Sequence, residues 1–301
     1  MERNNMMINR LISLTKRNIK IFYRDRSRLI FSLFSPAIVL VLYEVFLKRN
    51  MINEFTQAFS SLSLSDSRIE SLVQSWIISG ALYLTTLSAA AAAINGYSYD
   101  RVEKRLDDFF VTPISRFELA LSYLLSTMIV TFVVTMILYL VSLIVLGKYL
   151  FFSLKIIEVI FLESLLSSAI LSFFSMVFVH SEGGATTVVS LVNSLGGFFA
   201  GVYISFGTLG TTLVNVLGCL PFAQGSTLFR YRFMNTKLEE ILSTIPNNMR
   251  FDVKEKVYSS LGISIKVFNK SISITEIQVI ALFLIFILIV LASISLTRKK
   301  D

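Results

Sequence analysis

Apolar residues along this chain gather into six long runs: Leu29–Leu47, Val73–Ile94, Leu119–Leu146, Ile156–Phe178, Thr186–Ile204 and Ile277–Leu296. Each is 19 residues or longer, and a helix rising about 1.5 Å per residue needs roughly 20 residues to cross the hydrocarbon core of a bilayer. Lipid offers backbone groups no hydrogen-bonding partner, so each run predicts a spanning helix that satisfies its own amides and carbonyls. Pro36 predicts a kink in the first span. Before it, Ile8, Leu11, Ile12, Thr15, Ile19 and Phe22 share one helical face, with Arg10, Arg17, Lys20 and Arg24 opposite. That pattern predicts an amphipathic helix within residues 5–28, lying on the cytoplasmic surface with its cations toward headgroups and cytosol.

Between the fifth and sixth runs the pattern changes. Phe206–Phe222 is apolar but interrupted by Gly207, Gly210, Gly218 and Pro221, which predicts a re-entrant or interfacial pair of short helices rather than a seventh span. Residues 223–272 read as a compact external cap. Thr236 with Glu239 predicts a capping box opening a short helix, and Asp252 with Glu255 a second helix ending near Gly262. Ile263, Ile265 and Val267 then alternate as a strand does. The expected fold is an all-α polytopic membrane protein. It has an interfacial segment (1–28), spans one to five (29–204), a re-entrant and external segment (205–276), a sixth span (277–296) and a short tail (297–301).

Charge sets the expected orientation. Fifteen Lys and Arg precede span one, follow span two or form the tail, against five in the two short loops opposite. The positive-inside rule then puts both termini in the cytoplasm, which requires an even number of spans. The 301 residues are 54% hydrophobic with a net charge of +8, and mean hydropathy is +0.70. On such a chain that charge reflects orientation and the lipid bilayer rather than nucleic acid. No small-residue cleavage site follows the first run, so no cleavable signal peptide is expected. A single Cys219 and a single His180 leave no disulfide and no multi-histidine or cysteine metal site.

The loop between spans two and three carries the densest chemistry. Tyr99, Val102, Leu106, Phe109 and Phe110 line one helical face, with Asp100, Arg101, Glu103, Lys104, Arg105, Asp107 and Asp108 around the rest, and Thr112-Pro113 ends the helix. An apolar ridge among charges of both signs suits docking to a soluble protein; a helix resting on lipid would carry Lys and Arg alone. Small residues mark seams in the spans: Ala89 and Ala93 in span two, and Ser190, Asn193, Gly197 and Gly201 on one face of span five. They admit ordinary packing within the chain, a homodimer face or a polar path. Ser164, Ser168, Ser172 and Ser175 form a further stripe in span four. Glu44 and Glu163 are acidic residues within spans, where an ionisable group is a functional candidate.

Catalytic signatures are missing. There is no G-x-x-x-x-G-K-[ST] phosphate loop, no H-E-x-x-H and no G-x-S-x-G. Uphill transport would therefore draw on a partner or an ion gradient. The arrangement resembles the permease subunit of type 2 ATP-binding-cassette exporters of drugs, bacteriocins, haemolysins or polysaccharides. The resemblance rests on Arg24-Asp25 before a proline-containing first span, on the Asp100–Phe110 helix leading to Thr112-Pro113-Ile114-Ser115, and on Gly196-Gly197-Phe198…Gly201-Val202-Tyr203 followed by Leu220-Pro221-Phe222 and Leu228-Phe229-Arg230. Many relatives carry proline just after span five, where this chain has Ser205-Phe206.

The resemblance implies a chain that binds no cofactor itself, with ATP and Mg²⁺ on a separate cytoplasmic ATPase. It implies that Tyr99, Val102, Arg105, Leu106, Asp107, Asp108, Phe109 and Phe110 dock that ATPase as a coupling helix. It also implies that spans two and five face a second copy or a related permease and line the route for amphipathic or lipid-like cargo leaving the cell. A bacterial plasma membrane is the expected location. Two other readings stay open: an ion-coupled secondary transporter using Glu163 or Glu44, and an intramembrane enzyme or receptor.

Overall fold

The computed structural model describes residues 2–43, 45, 48–59, 64–147, 149–268 and 270–298. An amphipathic helix, α1 (Glu2–Arg24), leads the chain. Asp25 breaks it and caps α2 (Arg26–Leu42): its Oδ1 accepts from the Arg28 amide at 3.2 Å and its Oδ2 pairs with Arg28 Nε at 2.8 Å. Next comes α3 (Lys48–Ala58), a helix the hydropathy pattern did not predict because only its inner face is apolar. Met51 and Phe55 of that face, with Phe59 just beyond it, are buried in the main core.

α4 (Asp66–Val102) runs 37 residues, about 55 Å at 1.5 Å per residue, well past the predicted Val73–Ile94. Every residue from Leu72 to Ala91 is buried. A helix covered on all sides is the centre of a bundle, and α2, α3, α5 (Arg105–Phe110), α6 (Arg116–Val145), α7 (Leu154–Phe178), α8 (Glu182–Phe199) and α10 (Pro221–Leu242) all pack against it. The last helix, α12 (Ile274–Arg298), leans on α6 and α7. α6 and α12 keep one apolar face outward, with Ile137, Val141, Ile144, Leu282, Phe283 and Phe286 exposed, as lipid contact requires.

Among the described residues four helices are long and apolar enough to cross a membrane: α4, α6, α7 and α12. A fifth is counted if α9 (Thr211–Gly218) and α10, bent by 92° at the intervening break, form one broken span. The chain is an all-α polytopic membrane protein. The predicted first and fifth spans fall on α2 and α8, which are helical but, at 17 and 18 residues, are not among these candidates.

α8 stops at Phe199 instead of reaching Ile204, for a local reason. Gly201 takes φ +63°, the Val202 amide donates to Gly197 O at 2.8 Å and the Gly201 amide to Phe198 O at 3.0 Å. This is the Schellman stop, which needs a residue without Cβ at that position. Gly201 thus serves a helix end rather than the helix–helix seam its spacing predicted. The same device ends α11 (Asn247–Ser260), with Gly262 at φ +68° and the Ile263 amide on Tyr258 O at 2.8 Å.

The external segment also differs from its prediction. The Phe206–Phe222 stretch does break, into a 3₁₀ turn at Phe206–Thr208 and α9, but α10 then continues through Thr236 without a new start. Tertiary burial of Ala223, Leu228, Phe229, Phe233, Met234 and Leu238 holds α10 inside the bundle, overriding the capping pattern. At its outer end Lys237 Nζ donates to Ser71 Oγ (2.8 Å), Ser75 Oγ (2.7 Å) and Tyr149 O (2.6 Å), tying α10 to α4 and to the loop before α7. α11 packs on the 3₁₀ turn and the hairpin β1 (Ile265–Val267)–β2 (Lys270–Ile272) on α9 and α10, together forming a cap. Arg230 joins cap and bundle. Fully buried, it donates from Nη2 to Gly201 O at 2.5 Å and lies 4.9 Å from the Trp76 ring centroid and 5.5 Å from that of Phe206. Trp76 Nε1 in turn donates to Leu261 O at 3.0 Å.

Gly225 is where α10 meets α7 most closely: a Cβ there would come within 2.4 Å of Glu163 Oε2 and 2.5 Å of the Tyr83 ring. Gly225→Val is expected to destabilise the detergent-solubilised protein by about 1–3 kcal/mol, the usual range for overpacking. Gly183→Ala, which meets nothing within 4 Å, is expected to leave the melting temperature unchanged or slightly raised; a scan of both variants checks the pair.

Candidate functional site

One end of the bundle is built on one carboxylate. Asp100, in the last turns of α4, is 3% exposed. Its Oδ2 accepts from Arg17 Nη1 of α1 at 2.7 Å and from Tyr123 Oη of α6 at 2.6 Å, while Arg105 Nη1 of α5 lies 3.7 Å from Oδ1. Four helices therefore meet at a single side chain. Burial pulls the Arg17 guanidinium down, but its hydrogen bond to Asp100 and the charge beside it more than offset this and hold it above its ordinary value. Arg17 also lies 5.2 Å from the Phe109 ring centroid, a cation–π contact to α5.

Arg10 makes a second tie one to two turns earlier. Its Nη1 donates to Pro113 O at 2.8 Å and its Nη2 lies 3.1 Å from Glu118 Oε1. Glu118 belongs to the capping box of α6: its Oε2 accepts from the Ser115 amide at 2.6 Å and Ser115 Oγ accepts from the Glu118 amide at 3.1 Å. So Arg10 and Arg17 do not point to headgroups and cytosol as predicted. They turn inward, because two buried carboxylates wait there, while Lys20 and Arg24 stay exposed. On the far side, Arg101 Nη1 donates to Met176 O (3.1 Å) and Val179 O (2.9 Å), closing the end of α7.

The predicted coupling helix is two pieces. Lys104 adopts φ +58° and separates the end of α4 from α5. Tyr99 and Val102 therefore sit on the last turn of α4, and Arg105, Leu106, Asp107, Asp108, Phe109 and Phe110 on α5. Leu106 is 5% exposed and faces the bundle rather than a partner; Val102 and Phe109 are half-buried. Tyr99, Arg105, Asp107, Asp108 and Phe110 remain exposed. Arg105 lies over the Tyr99 ring at 5.2 Å and Arg116 over the Phe110 ring at 4.9 Å. Two exposed apolar residues escaped the sequence reading, Val111 at 87% and Phe117 at 48%. They fall outside the helical ridge that the spacing predicted. Asp100 escaped as a keystone because its partners lie 83 and 23 residues away.

Inside the bundle the seam residues divide. Ala89 is fully buried against Phe22, Val130 and Val134 of the same chain, and Ala93 packs beside that cluster. These alanines admit α1 and α6 to α4 instead of lining a surface. Gly197 is covered by the Tyr203 ring of its own chain. Asn193 Oδ1 accepts from Ser88 Oγ at 2.5 Å, joining α8 to α4. Ser190 is exposed, on a face of α8 that continues through Leu191, Ser194 and Phe198.

Glu163 is 1% exposed, and neither of its oxygens has a hydrogen-bond partner among the described residues. Ser167, one turn on, donates to Thr86 Oγ1 at 3.2 Å and not to Glu163. Glu44 lies outside the described residues.

A bundle whose long apolar helices keep one face outward, tied at one end by buried charges, defines a multi-pass membrane protein. The model of the ABC-2 type transporter family matches residues 9–234, from α1 to the buried part of α10. The chain belongs to that family and is a membrane permease of an ABC transporter. No curated protein and no solved structure matches it.

Asp100→Asn is expected to cost about 2 kcal/mol, in the range for a hydrogen bond to a charged group. Arg17→Met should cost more, about 3 kcal/mol, because it leaves the buried Asp100 charge short of its closest cation, and the double variant clearly less than the sum, because both remove the same pair. Melting curves of the three variants check this; strict additivity would mean that the clamp carries no coupling.

Proposed function

We propose that this permease is the membrane half of an ATP-driven exporter. Separate cytoplasmic ATPases dock on α5, and a second permease, identical or related, completes the path. The observation that carries this reading is the pairing of rigidity and exposure at α5. Asp100 and Arg17 hold the knuckle to three other helices, while Asp107, Asp108, Phe110 and Val111 remain open to the cytosol. A partner that shifts α5 cannot do so without moving α1, α4 and α6. Rigid-body displacement of packed helices is how such machines switch, since cores are bistable rather than continuously deformable.

ATP and Mg²⁺ belong to the partner in this scheme, and this chain supplies the path. The exposed Ser190–Phe198 face of α8 is the surface offered to the second permease, with Asn193 at its edge. Both termini lie in the cytoplasm of a bacterial cell, with α1 on the inner leaflet, and the cargo is amphipathic or lipid-like. One observation favours a second reading, ion-coupled transport: the carboxyl of Glu163 is buried in the bundle without a partner among the described residues.

Purification from native membranes in mild detergent is expected to recover an ATPase at stoichiometric yield. Asp107→Lys with Asp108→Lys is expected to cut transport at least tenfold without shifting the melting temperature, since both side chains are exposed. Transport that survives the double reversal would remove α5 as the docking element. Glu163→Gln is expected to leave ATP-dependent transport intact; its loss, with no ATPase recovered, would favour the ion-coupled reading.

A further inference from the structure

A cleft of about 350 Å³ opens at the end of the bundle away from Asp100, between the 3₁₀ turn at Phe206–Thr208, α9, the end of α11 and β1. Its floor is apolar. Phe206 and Ile265 are buried at 3% and 1% exposure, and Leu209 and Val214 pack against them. This floor is rigid, because Arg230 lies over the Phe206 ring and Ser205 Oγ donates to Ser260 O at 2.7 Å.

The rim is polar and cationic. Thr211, Asn215, Ser264, Lys256 and Lys266 line it, and no carboxylate does. Lys266 is engaged by Glu255. The side chains of Lys256, Thr211, Asn215 and Ser264 have no hydrogen bond or ion pair among the described residues. On the outward side of α9, Leu213 and Val216 are 48% and 57% exposed, so the cleft borders an apolar surface of the kind that meets lipid.

An apolar floor beneath one unspent cation and three unspent hydrogen-bonding side chains matches one class of molecule. Acyl carbons would gain from covering the half-buried Leu209 and Val214. An anionic head would gain a charge-assisted contact from Lys256 and neutral ones from Thr211, Asn215 and Ser264. Neither half of the cleft alone accounts for the other: a soluble anion leaves the floor wet, and an uncharged hydrophobe leaves the rim unused. We propose that this cleft is an outer-leaflet binding site for an amphiphile with an anionic, phosphate-type head group, the chemical class of the cargo at its point of exit. The cargo assignment rests on the exporter reading; the binding site does not.

The test is calorimetric titration of the full chain in neutral detergent with dihexanoyl phosphatidic acid, with inorganic phosphate and dihexanoyl phosphatidylcholine run in parallel. Phosphatidic acid is expected to bind at least tenfold more tightly than either. Lys256→Glu is expected to weaken it at least tenfold, with Lys256→Arg retaining it. Lys256 is exposed, so the melting temperatures of both variants should match the parent; if Lys256→Glu melts early, Lys256→Gln takes its place. Inorganic phosphate binding as tightly as phosphatidic acid would remove the apolar floor from the site. Equal binding of phosphatidylcholine, or indifference to Lys256→Glu, would overturn the proposal. Failure to recover an ATPase would overturn the exporter reading and leave this result standing, so the two failures are distinguishable.

Discussion

One buried carboxylate holds one end of this permease together. Asp100 accepts from Arg17 and Tyr123 and lies near Arg105, so α1, α4, α5 and α6 share a single electrostatic centre. Leaving such a charge without its partners is far more costly than never placing it, since desolvation is then uncompensated. The interfacial helix therefore cannot drift over the membrane surface independently of the bundle, and α5 cannot swing independently of α1. Arg10 on Glu118 repeats the arrangement at the start of α6. Two separate elements, α1 and α5, become parts of one body.

The opposite end is held by different means. There the chain reverses twice through glycine-capped helix ends, at Gly201 and Gly262. Arg230 gathers the two reversals: it donates to Gly201 O and its guanidinium lies between Trp76 and Phe206. α4 connects the two ends, buried through its whole middle and tied by Trp76 above and Asp100 below. A displacement at the knuckle is thus felt by the element on which the outer cap also rests. That continuity links the docking surface proposed at α5 to the amphiphile cleft proposed beside Phe206.

Much of this architecture was legible before folding. Long apolar runs demand helices in lipid, and all six predicted runs are helical over most of their length. Amphipathic spacing marked α1, and the glycines and proline of 206–222 marked a break. The misreadings share one cause: a local pattern has more than one use. Gly197 and Gly201 were spaced as a helix–helix seam, yet one is covered by Tyr203 of its own chain and the other ends α8. Thr236 and Glu239 had capping spacing, yet burial carried α10 through them. Arg10 and Arg17 read as surface cations, and only the folded chain sets carboxylates beneath them.

Sequence alone determined that this chain lives in a membrane as a helical bundle, because the cost of unsatisfied backbone in lipid admits nothing else for such runs. Hydropathy and spacing are properties of a segment, and they could be read segment by segment. Which charges neutralise each other, which small residues receive a neighbour and where an amphipathic cleft opens were decided by tertiary structure. Those outcomes join side chains such as Arg17 and Asp100, or Trp76 and Leu261, that lie 83 and 185 residues apart. No local periodicity records a distance of that kind; only the packing of α4 among its neighbours brings the partners within a few ångströms.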